Sequence, residues 1–168
     1  MACYFLFIRL DRDSEIQVGK KGLYRFRCGF YVYVGRARVR VAVRLRRHLR
    51  HKKRKHWHID FLLEEAKVEG IALFESNEEC SLAAFLLQHP RTQHGIPGFG
   101  SSDCACPSHL FYLGDAFSFE DFFAVLKAIP VSSWVVWRKQ ESLHHLSVSD
   151  GIVPETVIEH EKNGFGFL

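Results

Sequence analysis

The 168-residue sequence contains no apolar run that approaches the roughly 18–20 residues that a membrane-spanning helix needs. Its residues 1–8 are apolar but lack a basic leader and are followed by Arg9, so we expect a buried strand there rather than a signal peptide. The five cysteines are odd in number and unevenly spaced, which argues against a secreted disulfide framework. We therefore expect a protein of the reducing cytoplasm with no membrane partner.

Acidic residues are missing from a long part of the chain. Residues 16 to 59 include 15 lysines and arginines and no aspartate or glutamate, whereas the other residues carry 8 basic and 19 acidic side chains. Because so many like charges repel one another unless a polyanion neutralises them, this asymmetry favours nucleic acid as a partner over an anionic membrane surface, which is the second kind of polyanion that a basic region can bind. A solvated basic face without a partner is the open alternative.

The pattern of apolar and turn-forming residues predicts a mixed α/β (α+β) fold. Residues 29–35 are aromatic or β-branched between two glycines, which is typical of a central strand, and residues 4–10 form a second apolar strand. Apolar residues recur every fourth position from 38 to about 53, which predicts a helix. Further predictions are a hairpin over 16–26, helices over 59–65, 78–87 (with Asn77 as N-cap) and 119–129, strands over 70–74, 108–113 and 133–137, and a short helix after Pro154.

These elements predict a small, mainly antiparallel sheet flanked by helices. We expect residues 1–130 to form the main domain and residues 131–168 to form an extension packed on it.

Two groups of side chains are candidates for chemistry from their spacing alone. Arg44 and His48 lie one turn apart beside the apolar stripe of the predicted basic helix, so both can lean into a cleft; a helix that is basic over its whole outer face is the competing interpretation. Cys104, Cys106 and His109 offer zinc ligands, but C-x-C departs from the usual spacing and no fourth ligand is evident, so buried thiols are the alternative.

Several motifs are spread over residues 2–113. They are GFYVYVGRA at 29–37, RLRRHLR at 44–50, WHID at 57–60, Glu79-Cys80, and GFGSSDCACPSHLFY at 98–112. This set resembles the GIY-YIG nuclease superfamily and, within it, the Uri-like endonuclease branch, also called DUF123. The resemblance implies a GIY-YIG-like fold and a metal-dependent endonuclease that hydrolyses phosphodiester bonds in nucleic acid (DNA or RNA, with DNA favoured).

The resemblance also implies the roles of individual residues. The catalytic side chains would be Tyr4, Tyr33, Arg44 and His48. Glu79 would hold one Mg²⁺ or Mn²⁺, with Glu78 as the competing carboxylate. Separately from the resemblance, the side chains of Cys104, Cys106 and His109 make Zn²⁺ a further candidate metal. Two positions depart from the superfamily pattern: Tyr4 follows Ala-Cys rather than Gly-Ile, and Asp103 lies in the region of a late asparagine.

Basic and aromatic residues around the predicted helix are expected to contact nucleic acid through phosphates and rings. The expected contacts are Arg36, Arg47, Arg50, Lys52, Lys53 and Trp57. A nucleic-acid-binding module with this fold but without catalysis would need only these residues, and it is the alternative function. A protein-interaction domain with an incidental basic region is a third interpretation.

Overall fold

The computed structural model describes residues 2–75, 78–129, 133–138 and 157–161. A seven-stranded antiparallel sheet forms the centre of the fold. The strands are β1 (Ala2–Leu10), β2 (Ser14–Gln17), β3 (Leu23–Phe26), β4 (Gly29–Ala37), β5 (Lys67–Phe74), β6 (Gln93–His94), β7 (Leu110–Gly114), β8 (Ser133–Arg138) and β9 (Val157–Glu161). The helices are α1 (Val41–Leu49), α2 (His58–Leu62), α3 (Glu79–Gln88) and α4 (Phe119–Ala128). The predicted fold class, a mainly antiparallel sheet flanked by helices, is confirmed.

The sheet order brings the two motif strands together at its centre. Seven strands follow the order β6-β7-β4-β1-β5-β8-β9 with every neighbouring pair antiparallel, and β2 and β3 form a separate hairpin. β1 and β4 pair over their whole lengths, from Ala2 opposite Ala37 to Leu10 opposite Gly29. Tyr4 therefore lies opposite Gly35, at the end of the sheet where β1 begins and β4 ends.

Alternate residues of β1 belong to two hydrophobic cores because successive side chains of a strand point to opposite faces. Cys3, Phe5 and Phe7 pack with residues of α3 and α4 on one face. Tyr4 and Leu6 pack on the other face with α1, α2 and the β2–β3 hairpin. Both faces of the central strand are thus covered, which explains why it is apolar from Ala2 to Ile8.

The structure differs from the sequence prediction at two helices. The basic helix α1 is shorter than the predicted 38–53, since Arg40 adopts a left-handed conformation before it (φ 52°) and Arg50 is extended after it. The predicted helix after Pro154 is wrong: residues Val157–Glu161 form strand β9 on the edge of β8. Asn77, the predicted N-cap of α3, lies outside the described residues, and Glu78 takes the N-cap position. None of the described helices has the length and apolar character needed to cross a bilayer.

Candidate functional site

A cleft of about 490 Å³ opens at the end of the sheet where β4 finishes. Its wall brings together Tyr33 of β4, Arg44 of α1 and Glu79 of α3. The segment between β6 and β7 adds Gly100, Ser102 and Asp103 to the same wall. The other lining residues are Arg36, Ala37, Arg38, Val39, His56, Trp57 and His58. Three of the five side chains that the resemblance implied for catalysis and metal binding therefore meet in one basic cleft.

The other two, Tyr4 and His48, form a buried layer behind Arg44. The Tyr4 hydroxyl accepts a hydrogen bond from Nε of Arg44 at 2.8 Å and lies 2.8 Å from Nε2 of His48. Tyr4 is fully buried and His48 is 2% exposed, so neither side chain reaches the cleft surface. Both would act on a ligand through Arg44, and His48 does not reach a leaving group directly.

Gly35 makes room for the Tyr4 ring. A Cβ at position 35 would lie 2.4 Å from both Cζ and the hydroxyl oxygen of Tyr4, which is far inside van der Waals contact. The glycine of the Tyr33-Val34-Gly35 triplet is therefore needed for the Tyr4 ring to lie across β4 and reach Arg44.

Burial keeps the Tyr4–His48 pair uncharged at neutral pH. Desolvation raises the pKa of Tyr4 to about 12, although the Arg44 guanidinium acts in the opposite direction. Desolvation and then the positive charge of Arg44 lower the pKa of His48 to about 3. A protonated phenol beside a neutral imidazole can orient Arg44, and Tyr4 does not fit the role of a base that deprotonates water.

The buried neutral His48 makes the stability of the protein depend on pH. Its pKa is about 3 in the folded chain and near 6.5 in the unfolded one, so only the unfolded chain takes up this proton between those values. The contribution of His48 is fully present above pH 6.5 and is lost as the pH falls through that window, by at most about 1.4 kcal/mol per pH unit. Chemical denaturation at several pH values should show that His48→Gln loses less stability on acidification than the parent.

His51→Gln, at an exposed histidine just after α1, is the matched control for this measurement. Comparison of the two variants separates the effect of the buried imidazole from the loss of one histidine, and His48→Gln should change the pH dependence of the unfolding free energy more than His51→Gln does. Identical pH dependence for the parent and His48→Gln would contradict a neutral buried imidazole.

Tyr33 places a hydroxyl in the cleft. Its ring packs edge-on against Phe99, with 6.3 Å between the centroids, and leaves no space for a Cβ at Gly100, which would lie 2.7 Å from the ring. Gly100 also has a positive φ of 75°, a conformation that favours glycine. Burial raises the pKa of Tyr33 above its ordinary value, and within the described residues its hydroxyl has no hydrogen-bond partner. It is therefore a protonated group available to a ligand or a water.

Trp57 packs against two guanidinium groups. Its ring centroid lies 4.1 Å from Cζ of Arg44 and 4.2 Å from Cζ of Arg47, within the range of cation–π contacts. The sequence predicted that Trp57 contacts nucleic acid, but its half-buried ring is already engaged, which suits a positioning role better than an open stacking surface. With Nε bound to Tyr4, the terminal nitrogens of Arg44 make no hydrogen bond within the described part of the chain.

Arg47, which the sequence predicted to contact nucleic acid, makes an ion pair within the protein. Its terminal nitrogens donate to both carboxylate oxygens of Asp60 at 2.8 and 2.7 Å. Asp60 is fully buried and also accepts hydrogen bonds from the backbone N–H groups of His56 and Trp57. Burial alone would raise the pKa of Asp60, but these hydrogen bonds lower it below its ordinary value. Arg47 thus ties α1 to the start of α2, and this carboxylate was not identified from the sequence.

Lys53 also has a structural role. Its Nζ donates to the carbonyl oxygens of His48 at 2.9 Å and Arg50 at 3.0 Å, so it caps the carboxyl end of α1. Arg36, by contrast, lies in the cleft. Five exposed side chains near α1 make no ion pair with any described residue, and we call them the α1 cations: Arg38, Arg40, Arg46, Arg50 and Lys52.

Glu79 offers a carboxylate that can accept a metal ion. Its side chain is 13% exposed, and its two oxygens lie 3.5 Å from Nε of Arg36 and 3.5 Å from Nδ1 of His109. Both distances exceed the roughly 2.7–2.9 Å of a strong charged hydrogen bond, so neither neighbour occupies the carboxylate fully. Asp103 adds oxygen atoms to the same cleft, and such a donor set suits Mg²⁺ or Mn²⁺, which retain bound water. The competing Glu78 is exposed and is not among the residues that line the cleft.

A second group of metal-binding side chains adjoins Glu79. The ligand atoms of Cys80, Cys104, Cys106 and His109 all lie within 4.8 Å of one another. Burial and the neighbouring thiols of Cys80 and Cys104 raise the pKa of Cys106 to about 12. The predicted set of Cys104, Cys106 and His109 was thus incomplete, because the fold brings the fourth candidate, Cys80, from α3.

Two histidines of the cleft were also missed by sequence reasoning. Nδ1 of His58 accepts a hydrogen bond from the backbone N–H of Gly100 at 3.1 Å, which holds the segment before β7 against α2. Exposed His56 lies beside Trp57. The motif WHID at 57–60 was a signal for this region, but nothing in its spacing showed that it would meet Gly100.

No curated protein and no solved structure matches this chain. The profile of the family described as "Domain of unknown function DUF123" matches residues 3–129. The match runs from β1 through the end of α4, so it includes every residue that lines the cleft. The family found is the one that the sequence motifs resemble, and the chain belongs to the DUF123 family.

Proposed function

We propose that this protein is a metal-dependent endonuclease that hydrolyses phosphodiester bonds in the cleft. One observation supports this most: Arg44, a cation suited to phosphate, and Glu79, a carboxylate suited to a hard metal ion, line the same cleft. Membership of a family that resembles GIY-YIG nucleases is consistent with the proposal.

Arg44 would bind the scissile phosphate. Its Nε is bound to Tyr4 and its guanidinium packs on Trp57, so the terminal nitrogens are held ready for phosphate oxygens. A guanidinium fixed before the substrate arrives stabilises the negative charge that grows on the phosphorus oxygens in the transition state without a further cost of reorganisation.

Glu79 would hold the metal ion, and Tyr33 would orient the attacking water. A bound Mg²⁺ supplies a Lewis acid for a phosphate oxygen and acidifies a bound water. The Tyr33 hydroxyl, which is protonated and without a partner among the described residues, can hydrogen-bond a water or a phosphate oxygen. Tyr4 and His48 would keep Arg44 in place from behind.

Nucleic acid is the proposed partner, and DNA is the substrate we favour. The α1 cations lie before, within and after α1, and one of them, Arg38, lines the cleft. None of them makes an ion pair in the described ranges. Phosphate contacts of this kind give affinity without sequence specificity.

Incubation with a panel of linear, branched and single-stranded DNA and RNA tests the proposal. We expect cleavage of at least one DNA substrate with Mg²⁺ or Mn²⁺ and none with a chelator, because a hard cation is needed to polarise the phosphate. Tight binding without cleavage of any substrate in either metal would contradict the endonuclease and favour the alternative, a nucleic-acid-binding module.

A further inference from the structure

The four-residue cluster next to Glu79 joins two separate parts of the fold. Cys80 lies in the first turn of α3, whereas Cys104, Cys106 and His109 lie in the segment between β6 and β7. We propose that these four side chains bind one Zn²⁺ and that this ion, through His109, positions the carboxylate of Glu79. The second half of this inference rests on the proposed role of Glu79 in metal binding, whereas the first half does not.

The donor set points to zinc. Three sulfurs and one imidazole nitrogen form a Cys₃His set, which is among the common structural zinc sites, and soft thiolates disfavour Mg²⁺ and Ca²⁺. In a tetrahedral site with Zn–S bonds of about 2.3 Å, the sulfurs lie roughly 3.8 Å apart. Ligand atoms within 4.8 Å of one another therefore need only a small contraction to surround the ion. On binding, the thiols release their protons to solvent and coordinate as thiolates.

The segment that carries three of the ligands has little regular secondary structure of its own. It leaves β6 at His94 and reaches β7 at Leu110. Backbone hydrogen bonds of loop type hold it, such as those from the N–H of Gly98 to Pro107 and from the N–H of His109 to Phe99. A metal ion that links this segment to α3 would fix one wall of the cleft relative to another, as structural zinc does in small domains.

His109 connects the cluster to Glu79 through its two ring nitrogens. Nε2 lies 3.4 Å from Sγ of Cys104, on the side of the cluster, and Nδ1 lies 3.5 Å from Oε1 of Glu79. His109 is fully buried, and its Nδ1 has no hydrogen bond within the described residues.

Because of this orientation, an ion in the cluster determines whether Nδ1 of His109 presents an N–H or a lone pair to the carboxylate of Glu79. Zinc on Nε2 of His109 leaves the proton on Nδ1, where the N–H can donate to the carboxylate of Glu79. In the metal-free chain both neutral tautomers are accessible, and the one with its proton on Nε2 turns the lone pair of Nδ1 toward the carboxylate of Glu79 and repels it. Occupancy of the cysteine cluster should therefore favour the position of Glu79 that the cleft requires.

Metal analysis of the full chain, purified under reducing conditions, tests the first half. We expect one equivalent of zinc and, after exchange for Co²⁺, thiolate-to-cobalt charge-transfer bands with the strong visible bands of tetrahedral cobalt. Cys80→Ser, at an exposed position, should weaken Co²⁺ and Zn²⁺ binding by at least about tenfold. Cys28→Ser, outside the cluster, is the matched control and should bind both ions as the parent does. Absence of zinc, binding of iron or copper in its place, or equal zinc binding by Cys80→Ser would overturn the proposal.

Binding of Mn²⁺ to the cleft, measured by electron paramagnetic resonance, tests the second half without any nuclease assay. We expect Mn²⁺ affinity to be at least about tenfold lower in zinc-free Cys80→Ser than in the zinc-loaded parent, as is found when partners of metal ligands are lost. Glu79→Gln should remove this Mn²⁺ site while keeping the zinc. Equal Mn²⁺ affinity with and without zinc would overturn the coupling. A chain that binds both ions but cleaves no substrate would count against the endonuclease alone.

Discussion

Glu79→Gln is expected to reduce cleavage by at least about 100-fold while nucleic-acid binding stays equal or becomes slightly tighter. The change keeps the size and hydrogen-bonding capacity of the side chain but removes the charge that a hard cation needs. A Lewis acid contributes several kcal/mol of transition-state stabilisation, and about 1.4 kcal/mol corresponds to a tenfold change in rate. Binding should not suffer because one carboxylate that repels phosphate is gone. Single-turnover cleavage and equilibrium binding with the same substrate measure the two effects separately.

Glu78→Gln is the matched control, since it makes the same chemical change at the adjacent, exposed position outside the cleft lining. It should cleave at nearly the parent rate.

Arg44→Ala should lose cleavage with only a modest loss of binding, because the α1 cations still contact the phosphates. Normal cleavage by Glu79→Gln together with loss in Glu78→Gln would mean that the metal ligand has been assigned to the wrong residue.

Reversal of two α1 cations, Arg50→Glu with Lys52→Glu, is expected to weaken binding of all nucleic-acid sequences by at least about tenfold. Each phosphate that a cation neutralises on duplex DNA contributes about −0.9 to the slope of log affinity against log salt concentration. The parent should therefore show a steep slope, and loss of two contacts should reduce its magnitude by roughly 1.8. Lys53 is left unchanged because it caps α1, and its replacement would alter the helix as well as the charge.

Arg12→Glu with Lys127→Glu changes the net charge by the same amount at two exposed positions far from α1 in the sequence. This control separates the effect of where the charge lies from the effect of the net charge. Affinity measured over a range of salt concentrations should respond strongly to the first pair and weakly to the second. An affinity that does not change with salt would show that the α1 cations are not the binding surface.

Much of the fold could be predicted because its central strands are covered on both faces. Residues 29–35 are apolar at every position, and a pattern of this kind has few solutions other than a buried strand. The conformation of the C-terminal residues was harder to predict, since Val157 and Ile158 are β-branched but are followed by a polar run. The open edge of β8 determines their conformation, and that edge is a property of the assembled sheet.

The site could be predicted in part. Contacts between residues close together in the sequence could be predicted, whereas contacts between distant residues could not. Arg44 and His48 are one helical turn apart, so their adjacency follows from helix geometry. Cys80 meets Cys104 only because α3 and the segment before β7 pack against the same end of the sheet. Arg47 looked like a surface cation because nothing in the sequence showed that Asp60 would be buried beside it.

The position of Tyr4 in β1 has a consequence for how the site responds to thermal fluctuation. β1 is hydrogen-bonded to β4 on one side and β5 on the other, and its two faces belong to the two hydrophobic cores. Brief local openings at loops and sheet edges leave such a strand in place, since it separates from its neighbours only when both cores come apart. The phenol that holds Arg44 should therefore keep its position until the whole domain unfolds.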